Sequence, residues 1–317
     1  MLRPITLGLL TLLPLNAHAE VTLKVMSFNI WGAGANEDKD ISETVAAIKA
    51  AGADVVGLQE TRVESDPCTA VSCPAVGDSR AAAVAQALGW TGVHDQTGDS
   101  PALWANAVIS RYPVMATSPG DLGVKLDVKG RAVWLFNIHL DDEPYQPYQI
   151  LGIPYGPAPF IKTEAEAVKW ATDTRGPALD LLFADMKAAE GAAAVFVTGD
   201  FNEPSVHDWT PAVVAAKGQP LAVAWPSTAR LIGAGFVDAY RAVWPDPVAK
   251  PAYTWTPRYP EDATDDHPDR IDFVLVKGDG VKVTEAAIVG EDGPRTDIKV
   301  MPWPSDHRAV VATVVLP

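Results

Sequence analysis

The sequence predicts a mixed α/β layered domain spanning residues 20–317, behind a short leader. Strand-like and helix-like patterns alternate along the chain, as they do where sheets are covered by helices. No repeat, low-complexity tract or long linker interrupts it, so nothing marks a second domain. Of the 317 residues, 48% are hydrophobic and 21% charged, enough apolar surface for a substantial core.

Residues 1–19, "MLRPITLGLLTLLPLNAHA", carry one early charge (Arg3), an apolar run from Ile5 to Leu15 and an A-x-A pattern at Ala17-His18-Ala19. This reads as a secretory signal peptide cleaved before Glu20, since the run is shorter than the roughly 20 residues of a spanning helix. A secreted or periplasmic protein with no transmembrane segment after cleavage is expected.

"TLKVMSFNI" (22–30) is a strand, 41–53 a helix with Ser42 as N-cap and Gly52 near its end, and "DVVGLQE" (54–60) a second strand. In an exported chain Cys68 and Cys73 form a local disulfide, contributing about 2 kcal/mol and pinning a surface loop. A helix follows over Ser79 to Leu88. Next come hairpin-like strands from "ALWANAVISRYPV" through "LGVKLDVKGRAVWLFNIHL", with a turn at Lys129-Gly130. "EAEAVKWATDTRGPALDLLFADMKAAE" is helical with a break expected near Gly176-Pro177. The strand "AVFVTGDFN", a proline-rich loop region, and the strands "RIDFVLVKG" and "HRAVVATVVL" complete the chain.

Lys and Arg number 25 against 40 Asp and Glu, a formal charge of -15. Such a surface repels polyanions on average, which disfavours nucleic acid as a partner. A monomer is expected.

The chemistry-bearing residues stand at strand ends. Asn29 closes the first strand, Glu60 the second and His139 a later one; Asp200 and Asn202 end "VFVTGDFN", Asp272 lies in "RIDFV", and Asp306-His307 precede the last strand. If these strands are neighbours, the polar groups meet at one edge, where water or a metal compensates their charge. Oxygen donors of this kind suit Mg2+, or alternatively Mn2+ or Ca2+, better than zinc.

Taken in order, "SFNIWG", "VVGLQE", "NAVISRYP", "NIHL", "GDFNEP", "DRIDFVLV" and "SDHRAV" resemble the endonuclease/exonuclease/phosphatase superfamily over nearly all of the chain after the leader. The resemblance implies a four-layer sandwich, two mixed β-sheets packed face to face with outer helices, and divalent-metal hydrolysis of a phosphoester substrate. It implies that Glu60 is the main metal ligand with Asn29 beside it, and that Asp200 and Asn202 flank the attacking water and the phosphate. His307 then faces phosphate, Asp272 orients His307, Asp306 is a metal-side carboxylate and His139 an additional catalytic histidine. The chain departs from some nucleases of the family at Trp31, where they carry Asp.

For substrate, Asn106 and Arg111 either touch phosphate or stabilise their strand. The proline-stiffened insertion 141–160 offers Tyr145, Tyr148 and Tyr155 as a pocket wall, and "YTWTPRYPED", with Trp255, resembles the nuclease-branch aromatic segment that lines the substrate groove. The first reading is a phosphodiesterase for a small or lipid-headgroup substrate, the second an extracellular nuclease, the third a phosphomonoesterase. A non-catalytic binding protein on this fold would show replacement of Glu60, Asp200 or His307, and none is replaced.

Overall fold

The computed structural model describes residues 19–64 and 75–317. The expected leader 1–19, apart from Ala19, and the expected Cys68–Cys73 bridge lie outside the described residues. In chain order the strands are β1 (Val21–Asn29), β2 (Val55–Gln59), β3 (Val63–Glu64), β4 (Ala75–Val76), β5 (Gly92–Asp95), β6 (Ala107–Ser110), β7 (Val114–Thr117) and β8 (Gly123–Val128). They continue as β9 (Arg131–His139), β10 (Ala194–Asp200), β11 (Val237–Asp238), β12 (Asp272–Lys277), β13 (Lys282–Gly290), β14 (Ile298–Lys299) and β15 (Ala309–Leu316). The helices are α1 (Ser42–Ala51), α2 (Ala81–Leu88), α3 (Gln146–Leu151), α4 (Glu164–Asp185), α5 (Pro211–Ala215), α6 (Pro226–Gly233) and α7 (Ala239–Val243).

Two mixed sheets dominate, ordered β14-β13-β15-β1-β2-β6-β5 and β11-β12-β10-β9-β8-β7. Strand periodicity explains the layering, because successive side chains leave a strand on opposite faces. Val21, Leu23 and Val25 of β1 join Leu126, Leu135, Phe196 and Val274 in the core between the sheets. Met26 and Phe28 point the other way, into a core with Ile48 of α1 and Val84 of α2. On the far side, Phe136, Val197 and Phe273 pack against Leu179 and Leu182 of α4 and Leu231 of α6. The expected helix–sheet–sheet–helix sandwich is the observed architecture.

Several elements depart from the sequence expectation. Helix α4 runs unbroken through Pro177, opened by a capping box in which Thr163 Oγ1 accepts from Glu166 N and Glu166 Oε2 from Thr163 N. Gly176 has no Cβ to clash with the proline ring, and burial of Ala178, Leu179 and Leu182 outweighs the lost hydrogen bond. The hairpin-like series is not one meander: β6 belongs to the first sheet and β7 to the second, so the chain changes layer at 111–113. The β8–β9 hairpin is real, turning through Lys129 and Gly130, both at positive φ. The proline-rich region holds α5, α6 and α7, and the unexpected strand β13 pairs with β15.

Candidate active site

Parallel pairing of β1 with β2 and of β9 with β10 brings four carboxyl-terminal strand ends to one edge. Asn29 is thereby level with Gln59, just before Glu60, and Asp200 is level with His139. Antiparallel β12 begins at the same edge, Asp272 opposite Asp200, and the loop entering β15 returns there, Ser305 Oγ donating to Asn29 O at 2.7 Å. Glu60, Asn202 and Trp31 have φ of 53°, 46° and 42°. The left-handed bends carry the chain off these strand ends and into the loops at the site edge.

Asp200 is the hub. Its Oδ2 accepts from Asn29 Nδ2 at 3.1 Å and lies 3.6 Å from His139 Nε2 and 3.5 Å from His307 Nε2. Its Oδ1 accepts from Asn202 N at 2.9 Å, while Asn202 Nδ2 donates to Leu140 O. Asn29 Nδ2 also donates to Glu60 Oε1 at 2.7 Å, and its Oδ1 accepts from Trp31 N. The Asn29 amide nitrogen faces the carboxylates of Glu60 and Asp200 and bridges them. His307 Nδ1 donates to Asp272 Oδ2 at 2.9 Å, leaving Nε2 toward Asp200.

Charge is crowded here. Burial, then the charges of Asp306 and Glu64, push Glu60 well above the usual carboxylate range, and burial likewise raises Glu64 and Asp306. Burial pushes Asp272 up to about 6 against the pull of His307. For His307 burial acts downward, but Asp272 and Asp200 outweigh it and hold the imidazolium well above its ordinary range. Glu60 Oε2 and His139 Nδ1 are buried without a hydrogen-bond partner. Among the described residues two groups of potential ligand atoms are compact: Glu60, His139 and Asp200, and Asp200, Asp272 and His307. Asp306 belongs to neither and couples to Glu60 through its charge. An orphaned carboxylate oxygen amid mutually repelling carboxyls fits a hard divalent cation, which Glu60 would hold with Asp306 and Glu64 around it.

The sequence profile of the Endonuclease/Exonuclease/phosphatase family matches residues 26–307, from the middle of β1 to His307. The chain belongs to that family. It is a metal-dependent phosphoesterase. An uncharacterised Caenorhabditis elegans protein, F14F9.5, is 27% identical over 311 residues, spanning 92% of this chain and 90% of its own. A family structure from Beutenbergia cavernae is 19% identical with a TM-score of 0.55, covering 93% of this chain and 72% of that one. An AP endonuclease structure from Archaeoglobus fulgidus is 16% identical with a TM-score of 0.51, covering 92% and 98%. At these identities the two structures establish the fold.

Not every expected substrate residue lies at the family's edge. Arg111 is at the opposite end of β2 from Glu60: its N donates to Asp54 O, its Nε is 3.3 Å from the Asp54 carboxylate, and its guanidinium covers Trp90. It stabilises strands. Asn106 is 2% exposed, accepts from Trp104 N and lines a cleft of about 250 Å³ with Thr61, Arg62 and Gln96. Tyr145 and Tyr148 are too buried to form a pocket wall by themselves. Tyr145 donates to Asp269 Oδ2 at 2.8 Å and Tyr148 to Asp266 Oδ1, while Trp255 Nε1 donates to Asp266 Oδ1 at 2.9 Å. These bonds fasten insertion 141–160, including α3, to the loop before β12. What they leave near the site is the half-buried Trp255 ring, 5.0 Å from that of His307, and the exposed Tyr155, whose hydroxyl donates to Asp142.

Sequence reasoning missed Glu64, Asp142, Trp104 and Arg258. Trp104 stands edge-on to His139, and Arg258 covers Trp31. Glu64 lies four residues after Glu60, a signal that was legible; the other three sit in loops with no pattern to single them out.

Proposed function

We propose that this family member is an exported phosphodiesterase acting on a small or lipid-headgroup phosphodiester, with Mg2+ as its ion. The carboxylate-rich rim carries this reading. Glu64, Asp142 and Glu37 border a site whose aromatic groups are the half-buried Trp255 and the exposed Tyr155. A polyanion held through many Lys and Arg contacts finds few of them there.

The ion would be held by Glu60 with Asp306, and when bound it neutralises charge on the phosphoryl oxygens and lowers the pKa of water. His307, kept cationic by Asp272, presents Nε2 to an oxygen of the phosphoryl group. Asp200 Oδ2, fixed by Asn29 and by Asn202 N on its other oxygen, takes the proton of the attacking water. His139 closes the other side of Asp200. Positioning a nucleophile and acid/base groups in this way accounts for large rate factors without strain in the substrate. A nuclease is the second reading, favoured by the Trp255 ring beside His307, which offers a face for a base.

The test is turnover of residues 20–317 with magnesium chloride on bis(p-nitrophenyl) phosphate, sphingomyelin vesicles, p-nitrophenyl phosphate and plasmid DNA. Diester or sphingomyelin turnover without plasmid nicking is expected. Efficient nicking would shift the assignment to the nuclease, and turnover of the monoester alone to a phosphatase.

A further inference from the structure

We propose that Arg258 is a substrate-binding residue whose guanidinium, lying over the Trp31 ring, takes a non-bridging phosphoryl oxygen, with Glu37 as its resting counter-ion. The inference rests on the phosphoesterase reading of the adjacent site and names a residue of its specificity.

Arg258 is tied to the site through the backbone. Thr256 Oγ1 donates to Asp306 O at 2.6 Å and accepts from Arg258 N at 3.3 Å, so the segment carrying the arginine moves with the loop carrying Asp306 and His307. From the other side Trp31, two residues beyond Asn29, offers its ring, with the guanidinium carbon 4.1 Å from the centroid. The side chain therefore spans the two loops that supply Asn29 and Asp306.

The bonding pattern separates Arg258 from the structural arginines. Arg270 is fully buried and donates to both Asp208 and Asp238; Arg241 is buried and donates to Asp208 and to three backbone carbonyls. Arg258 is 36% exposed and donates through Nη2 to one carboxylate, Glu37 Oε1 at 2.6 Å. Among the described residues its Nε and Nη1 have no side-chain or carbonyl partner. Stacking on an aromatic face while keeping a fork of donors open is the arrangement in which arginine binds phosphate. Glu37 is also paired with Lys39 Nζ at 2.9 Å, so it keeps a partner when the guanidinium turns to an anion.

Inorganic phosphate binding by calorimetry, with magnesium present, and the KM and kcat for bis(p-nitrophenyl) phosphate test this in Arg258→Ala, Arg258→Lys and Glu37→Gln. Arg258→Ala should weaken phosphate binding and raise KM at least about tenfold, the effect of losing a charge-assisted hydrogen bond, with kcat changed less than about threefold. Arg258→Lys should recover part of the loss. Glu37→Gln should move the other way, tightening phosphate and lowering KM by about two- to fivefold, because a competing anion is removed. A purely structural Arg258–Glu37 pair predicts that Ala and Gln variants are impaired alike, and that result would overturn the proposal, as would unchanged phosphate binding in Arg258→Ala. If the wild-type protein turns over none of the esters, the phosphoester reading fails while the calorimetry still decides the role of Arg258.

Discussion

Glu60 leaves the end of β2 at φ 53°, a conformation costing a non-glycine residue about 1–2 kcal/mol, and its Oε2 is buried without a partner. Both features place a carboxylate where its charge is useful and unstable. Glu60→Gln keeps the acceptor for Asn29 Nδ2 but removes repulsion with Asp306 and Glu64. We expect the variant to melt at a higher temperature than wild type in EDTA, and to lose most of the stabilisation that magnesium gives by binding the folded state. An undiminished magnesium shift would remove Glu60 from the metal site. Asp200→Asn should fold normally, since its oxygen still accepts from Asn202 N, yet lose at least about 10²-fold in kcat, and His307→Ala should lose as much. Near-wild-type turnover of either would move the catalytic centre elsewhere.

At the scale of elements, the strand ends are held together by a polar seam beneath the site. Asn137 of β9 accepts from Gln59 Nε2 at 2.6 Å and Thr198 Oγ1 at 3.1 Å, and donates to Leu58 O and Gln96 Oε1. Gly57 leaves room for it: a Cβ there would come within 2.1 Å of Thr198 Oγ1 and 2.4 Å of Asn137 Oδ1. Half of the "GLQE" and "NIHL" motifs therefore joins the two sheets, and only Glu60 and His139 reach the reaction side. The insertion is anchored by a second buried carboxyl, Asp269, which accepts from Tyr145, Trp209 Nε1 and Gln219 Nε2 and is pushed by burial up to about 8. A carboxyl whose pKa rises on folding keeps a proton that the unfolded chain releases above 3.8. Its contribution to stability therefore declines as pH rises from about 4 to about 8, then levels off. Asp269→Asn mimics the neutral form and should flatten the fall in melting temperature across that window. An identical pH profile in the variant would mean that Asp269 is ionised in the folded protein.

At the scale of the whole molecule, the formal charge of -15 sets how substrates approach. Among the described residues no helix is long and apolar enough to cross a membrane. A small diester gripped by a few local groups should lose less than about threefold in kcat/KM between about 50 and 200 mM salt. A duplex held by six to ten phosphate contacts loses about 10³–10⁵ in affinity over that range. Initial rates on bis(p-nitrophenyl) phosphate and plasmid DNA across a salt series distinguish the two, and a steep loss on the productive substrate would argue for a nucleic acid.

What the sequence determined by itself was local. Alternating apolar residues and strand-end polar groups identified β1, β2, β9, β10, β12 and β15, and with them Asn29, Glu60, His139, Asp200, Asp272 and His307, because a strand's period and its terminus are written in neighbouring residues. The same short-range reading left Arg111 between touching phosphate and stabilising its strand, since it follows a motif strand, and broke α4 near Gly176-Pro177. Only the tertiary structure showed that β6 runs antiparallel to β2 and carries Arg111 to the far edge. Pairing order also made Asp200 the partner of Asn29, 171 residues away, and loop return laid Arg258 on Trp31 and pinned Tyr148 to Asp266. Those contacts depend on which strands lie side by side and which buried carboxylates need donors. That is settled by burying the two sheets and their helices together, a condition no single segment contains.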